Sequence, residues 1–468
     1  MVIILSITGL IFIVSIYISN NSSTKANNNI LIGITIPALE LKNKEVLRIV
    51  DSYKKENIKF MIGSIIAFIP GLFMTYISFQ FLYLFLWVVG LMYGSNKIIM
   101  KYNKDLMNLK REKDWLMPSK HLITIDTDVS RLKDKMIISK LWFIPSIVIS
   151  IIPIIIAFGK RNIWGNSILF ISSTAIISTI VFIIVYKRYG EQRTEVFSED
   201  SKVNFACNTI YKRTWTIGCV LAATIQSISM FLMFLLLMMD STNEILFILI
   251  VILPATIVVL GIYYINDKVR KDKNRLIQNS KNNIYTDNDE YWKNDVYNNP
   301  NDPRKIIEKR IGYGLTYNLA TKKGKIMTYG SYVLGVVIPV VIIFIFFIFD
   351  FSKFTLSIDS DLIKISAPIY GTSFEINDIE DIELIENMPK GFRSNGVGTE
   401  RYSLGNYSIN GYGNSKLYVY NENPPYIAIK LKNGYVFINS TSKEETDIEY
   451  QELIEVWEKK NVLGNALL

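Results

Sequence analysis

The chain has 468 residues, half of them hydrophobic, and a formal net charge of +9 at pH 7. Its mean hydropathy is positive, and the apolar residues fall in long charge-free blocks, the mark of membrane spans and not of a soluble core. The basic residues flank those blocks, where membrane orientation and anionic lipid account for them, and no aromatic-interleaved basic surface points to nucleic acid.

The first apolar segment, Met1 to about Ser19, lacks a basic start and a small-residue cleavage pattern, so a retained span is expected and not a cleaved signal peptide. No charge occurs between Lys59 and Lys97, which leaves room for two short spans with a tight turn near Gln80. Further charge-free windows run Leu141–Gly159, Asn162–Tyr186, Thr214–Met239, Ile245–Asn266 and Ile326–Phe349. Each is long enough to cross a hydrocarbon core of roughly 30 Å as a helix, which makes eight spans in all. Pro70, Pro145, Pro153, Pro254 and Pro339 fall inside them and read as tolerable kinks.

Charge sets the threading. Segments 20–59, 97–140, 187–213 and 265–325 carry seven, eleven, six and fourteen Lys plus Arg. The alternate connections carry none near Gln80, two at Lys160 and Arg161, and none in Asp240–Glu244. The positive-inside rule then places the four basic segments in the cytoplasm and both the N-terminus and the C-terminal domain outside. Residues 351–468, with eleven basic and seventeen acidic side chains, fit that side. Within the first basic segment, NKEVLRIVDSYKKEN at 43–57 repeats Val46, Leu47, Ile49, Val50 and Tyr53 at helical spacing behind a possible N-cap, Asn43. It reads as an amphipathic helix at the headgroup level or packed on its neighbours.

After Phe351 the texture becomes β-rich: KFTLSI, DLIKIS, TSFEI, IEDIELIE, KLYVYN, YIAIKLK and YVFINS, with Asn-Gly turns at Asn410–Gly411 and Asn433–Gly434. A helix follows, with Ser442 as N-cap, Glu445 three residues on, and apolar Ile448, Leu453, Ile454 and Trp457. Seven strands and a closing helix, carried by IYGTSFEINDIEDIELIE and PPYIAIKLKNGYVFINS, resemble a bacterial pleckstrin-homology domain. Members of that class that bind inositol phosphates cluster basic residues near the first hairpin. Here Asp359, Asp361 and Glu375 stand against Lys353 and Lys364, so protein contact or a structural role is expected.

Little in the chain points to catalysis. Two cysteines, Cys207 and Cys219, and one histidine, His121, cannot make a disulfide framework, a zinc site or a multi-histidine centre. His121, in a charged loop, reads as a solvated side chain. The span windows hold no carboxylate, Lys or Arg of the kind an ion-coupled transporter keeps at membrane depth. Their most polar cluster, Gln226, Ser227 and Ser229, suits hydrogen bonding between helices better than a substrate site. No phosphate-cradling P-loop occurs, and Gly312-Tyr313-Gly314 lacks the rest of a dinucleotide fingerprint. No cofactor and no metal is expected.

The densest motif is 291–318, YWKNDVYNNPNDPRKIIEKRIGYGLTYN, which follows a juxtamembrane basic run at Asp267–Arg275. Asn299-Pro300-Asn301-Asp302-Pro303-Arg304 reads as two successive turns, with Pro fixing φ and Asn and Asp capping amides. Tyr291, Trp292 and Tyr297 supply amphipathic rings. The stretch resembles a domain of unknown function in membrane proteins of low-GC Gram-positive bacteria, through Trp292, Tyr297, Asn299, Pro300, Asp302, Pro303, Arg304, Lys309, Arg310, Gly312, Gly314 and Asn318. Leu315 stands where that family usually has Trp. Gly33-Ile34-Thr35-Ile36-Pro37 and the residues after it are similar to the first cytoplasmic loop of related multi-span proteins, some of which resemble toxin-immunity proteins.

The expected fold class is therefore a membrane all-α region of about eight transmembrane helices plus a C-terminal extramembrane β-rich pleckstrin-homology-like domain. Its parts are a seven-span region 1–266, a cytoplasmic motif domain 267–325, an eighth span 326–350 and the outer domain 351–468. The resemblance implies a bacterial plasma-membrane protein. The expected role is non-enzymatic interaction, sensing or toxin immunity, with a permease or transporter subunit as the alternative. Expected partners are the lipid bilayer and another membrane or surface protein contacted through 351–468, with no nucleic acid. Trp292, Tyr297, Asn299, Asp302, Arg304, Arg310, Gly312, Gly314 and Asn318 are the candidate interaction residues.

Overall fold

A computed structural model describes residues 2–115, 126–159, 167–238, 244–280, 287–359, 361–399 and 401–465. His121, Lys160 and Arg161 lie outside the described residues. Each apolar segment of the sequence becomes a helix: α1 (Val2–Ser22), α2 (Lys44–Phe68), α3 (Ile77–Glu112), α4 (Ile144–Gly159), α5 (Ser167–Glu191), α6 (Ser201–Met238), α7 (Glu244–Gln278) and α8 (Lys322–Phe351). Seven of these are long and apolar enough to cross a membrane by length and composition. The 25-residue α5 is built of the same kind of sequence.

Several helices run well beyond their apolar windows. At about 1.5 Å per residue α3 is roughly 54 Å long, so its charged C-terminal turns project past the apolar stretch. The 43–57 segment is likewise no separate surface helix. It is the first half of α2, continuous to Phe68, with Asn43 as N-cap accepting from the Glu45 amide and with Val46, Val50 and Tyr53 buried. Leu47, on the other side, is exposed.

The turn expected near Gln80 lies earlier, in the 3-10 turn Ile69–Phe73 and the residues before Ile77. Pro70 cannot continue the α2 ladder, because it lacks an N–H. The Tyr83 ring lies so close to Gly71 that a Cβ there would sit 2.5 Å from it. Gln80 is instead buried inside α3, donating to the Met74 carbonyl at 2.6 Å. Of the five prolines expected as kinks, Pro153, Pro254 and Pro339 lie within helices. Pro70 belongs to the turn, and Pro145 is the second residue of α4, where its missing N–H costs nothing.

The helices form two groups. Leu5, Ile13, Met61, Phe68, Trp87 and Leu91 join α1, α2 and α3. Phe143, Tyr186, Trp215 and Cys219 form the core around α4, α5 and α6. Helix α7 packs along α6 and reaches α1. Polar side chains pin both groups internally. Asn20 donates to Asn57 and Ser95 at 3.2 and 2.6 Å, while Ser150, Thr179 and Ser227 meet at 2.9 to 3.2 Å. Ser229 donates to the Ile250 carbonyl at 2.6 Å. Ser227 and Ser229 thus serve contacts between helices.

Helix α8 stands more apart. It meets α3 through Phe79 against Phe347 and Phe81 against Phe346, and most of its length is exposed. Its end enters the C-terminal domain, where Phe349 joins the core with Phe354, Ile363, Leu404 and Ile427. Among the described residues that domain has nine strands and not seven. Strands β7 (Thr355–Asp359), β8 (Leu362–Ser366) and β9 (Thr372–Glu375) form an antiparallel sheet. The second sheet has the order β10-β14-β15-β13-β12-β11, from β10 (Ile379–Ile385), β11 (Gly391–Gly398), β12 (Tyr402–Ile409), β13 (Gly413–Tyr420), β14 (Tyr426–Leu431) and β15 (Gly434–Ile438). Within it β13 and β15 run parallel.

The strands missed in the sequence, β11 and β12, are rich in Gly, Ser and Asn, residues of low strand propensity held by cross-strand pairing. Helix α9 (Lys443–Asn465) closes the sandwich. Ser442 accepts from the Glu445 amide as expected of a cap, and Leu453 is fully buried. Ile448, expected on the same face, is 59% exposed.

Candidate functional site

The basic connections expected to share one side gather at one end of the bundle and form a collar. Its first piece is a hairpin of β1 (Ile30–Leu31) and β2 (Ile34–Thr35), turned at Ile32 (φ +45) and Gly33 (φ +82). Gly33 is required there: a Cβ would lie 2.9 Å from both Asn103 and Ile311. Ile32 is β-branched and strained at its positive φ, yet completely buried, so packing holds it.

The second piece is the 287–321 segment, two more hairpins. Strands β3 (Trp292–Lys293) and β4 (Val296–Tyr297) join through Asn294 and Asp295, both at positive φ, the conformation of a type I′ turn. Strands β5 (Ile306–Glu308) and β6 (Leu315–Tyr317) join through Gly312 and Gly314, at φ +73 and +100. The two hairpins are clasped by Asn318, which is fully buried. Its amide donates to the carbonyls of Asn299 and Asp302 at 2.8 and 2.9 Å, and its Oδ1 accepts from the Asn299 and Ala320 amides at 3.1 Å. All four hydrogen-bonding positions of the side chain are used.

The Asn-Pro-x-Asp-Pro-Arg turn closes on itself. Asp302 Oδ1 accepts the Arg304 amide at 2.9 Å, and the Arg304 guanidinium grips both carboxylate oxygens at 2.7 to 3.0 Å. The Tyr297 hydroxyl donates to Asp302 at 2.9 Å and accepts from Asn299 at 3.1 Å. Burial pushes the Asp302 carboxyl up, but these bonds outweigh it and hold the group below the ordinary carboxylate range. Arg304 also reaches Glu195 at 3.6 Å.

Behind this turn lies a buried charge network that binds the pieces together. Lys110 of α3, 1% exposed, donates to Asp287 at 2.5 Å and Asp289 at 2.7 Å. Asp289 also accepts from the Thr35 hydroxyl at 2.7 Å, from the Thr35 amide at 3.1 Å, and from Arg310. Arg310 donates to the Gly33 carbonyl at 3.2 Å and lies over the Trp292 ring at 5.3 Å. Two cations and two anions cancel, which suits a desolvated site. Burial alone would raise the Asp289 carboxyl; Arg310 and Lys110 keep it low.

On the outer side of the network is a cavity of about 520 Å³. Of the expected residues, Trp292, Tyr297, Asn299, Asp302, Arg304 and Arg310 line it; Gly312, Gly314 and Asn318 do not, serving the turn and the clasp. Tyr291 and Lys309 of the same motif line it too, as does Lys273 from the juxtamembrane basic run. Lys273 of α7, 5% exposed, faces Glu308 at 3.9 Å and lies over the rings of Phe197 and Tyr211 at 4.7 and 5.4 Å. Burial raises the Glu308 carboxyl above its ordinary value. The spacing of Lys110, Asp287 and Asp289 along the chain carries no signal, whereas Thr35 and Arg310 belong to the 33–37 and 291–318 motifs and Lys273 to the juxtamembrane basic run. Among the described residues, no group of three or more His, Cys, Asp or Glu could hold a metal ion.

The fold and the collar define a class: a multi-helix protein with a braced hairpin collar at one end and a β-rich domain closed by a helix at the other. Residues 354–445 match the family model described as Bacterial PH domain, which covers the strands and the start of α9 and leaves out the helical region and collar. No curated protein and no solved structure matches the chain.

Proposed function

We propose that this is an integral bacterial membrane protein with eight spans, whose collar lies in the cytoplasm and whose pleckstrin-homology-like domain lies outside. In this reading it acts without catalysis, in interaction, sensing or immunity to a membrane-acting toxin. The observation that carries the reading is helix α8, which joins the two ends without a break. Its N-cap Thr321, accepting from the Gly324 amide, follows directly on the Asn318 clasp. At its other end Phe349 is part of the C-terminal core, and Asp350 accepts from the Ser78 amide at 2.7 Å. Phe351 stacks on Tyr76 at 5.2 Å, and Arg401 lies over the same ring at 4.4 Å. The α2–α3 turn and the C-terminal domain therefore share one end, opposite the basic collar, as the positive-inside rule would arrange them.

The test is capture from native membranes with the full chain, using a cross-linker placed on the surface of 351–468. Specific recovery of a membrane or surface protein, lost when that surface is altered, supports the reading. Saturable solute uptake into proteoliposomes would favour the permease instead.

A further inference from the structure

We propose that the collar cavity is a binding site for a phosphate ester, held by the buried ammonium of Lys273 and by Lys309 and Arg193 nearer solvent. The volume of about 520 Å³ is that of a small-molecule site. An ammonium is strongly hydrated, and burying one without a close anion is costly. Lys273 nevertheless has its nearest carboxylate oxygen at 3.9 Å, beyond hydrogen-bond length, and otherwise faces two aromatic rings.

The rest of the wall has the same imbalance. It carries six basic and four acidic side chains. Three of the acids are already matched, Asp302 and Glu195 by Arg304 and Glu191 by Lys187 and Arg188, while Glu308 meets Lys273 only at 3.9 Å. Arg310 is matched by Asp289 behind the wall. Lys309, Arg193 and Lys133 line the cavity with no carboxylate in ion-pair range among the described residues. A phosphate group, with several strong acceptor oxygens, answers such a set of donors.

A phosphate ester thus fits both the buried ammonium and the unmatched cations of the wall. It could come from a phosphoglycerol lipid headgroup or from a soluble polyol phosphate. The lipid source rests on the membrane reading above; the soluble source does not.

The test uses the full chain purified in neutral detergent, titrated calorimetrically with glycerol 3-phosphate and with dioctanoyl phosphatidylglycerol, and with dioctanoyl phosphatidylcholine as control. Saturable binding of either anion, without binding of the choline lipid, is expected. Binding of the lipid alone assigns the headgroup source, and binding of glycerol 3-phosphate assigns the soluble one. The double variant Lys309→Gln, Arg193→Gln should weaken binding about tenfold or more while keeping a single cooperative thermal transition. Lys273→Met should abolish binding; if that variant does not fold, the double variant decides. No saturable binding of either anion, equal binding of the choline lipid, or an unaltered affinity in the double variant would overturn the proposal.

Discussion

Replacing Asp295 by Asn should stabilise the protein at neutral pH. Asp295 sits in the turn of the β3–β4 hairpin at φ +61, a conformation Asn adopts at least as readily. Its Oδ1 is buried without a hydrogen-bond donor. Burial pushes its carboxyl from 3.8 to about 6, only partly countered by Lys309 and the Ile311 amide. The folded chain therefore holds this proton more tightly than the unfolded chain does. The resulting cost is nearly absent below pH 4, grows between 4 and 6, and is fully present above. The full separation corresponds to roughly 3 kcal/mol, and partial exposure of the side chain reduces the expectation to about 1–2 kcal/mol. Thermal unfolding in detergent should show Asp295→Asn raising Tm by roughly 2–6 °C at pH 7.5, with little change at pH 4. A lower Tm at pH 7.5, or the same rise at both pH values, would refute the reasoning.

Asn318→Ala removes all four bonds of the clasp and strands buried backbone groups. It should cost about 2–4 kcal/mol and open 287–321 to limited proteolysis. Asp289 behaves oppositely to Asp295: its carboxyl is held low, so its stabilisation is present above the ordinary Asp range and is lost as pH falls. Asp289→Asn should cost about 3–5 kcal/mol at neutral pH by leaving Lys110 and Arg310 undercompensated, and should flatten the acid limb of the Tm profile. Arg401→Ala removes the cation over Tyr76 and should cost only ~0.5–1 kcal/mol, seen as greater spin-label mobility at the α8–domain junction while Tm changes little.

The helices were legible because a charge-free run of about 20 residues matches the length a helix needs to span a bilayer and exceeds what most buried core helices use. Their ends were not, since charged extensions such as 97–112 and 43–57 continue the same backbone without a breaker. The turn was misplaced because Gln80 looked like the polar interruption, whereas Pro70 and Gly71 hold the decisive backbone chemistry. In the C-terminal domain, strands with alternating Ile, Val and Tyr were visible, while Gly391–Gly398 and Tyr402–Ile409 depend on neighbours for their conformation.

The local part of the collar was readable too: Asp302 and Arg304 pair within the Pro-locked turn, as such a motif suggests. Its remote part was not. Lys110 and Asp289 lie 179 positions apart, and Asp289 and Thr35 254 apart. No spacing rule joins such positions; only the fold does.

The central claim, that collar and C-terminal domain lie on opposite sides of a membrane, is tested most directly by single-cysteine labelling. With Cys207 and Cys219 replaced, Asn301→Cys reports the exposed collar turn and Asn433→Cys the exposed β14–β15 turn. An impermeant maleimide applied to intact cells should label Asn433→Cys at once and Asn301→Cys only after permeabilisation. Labelling of both from outside, of neither, or in the reverse order would contradict the threading.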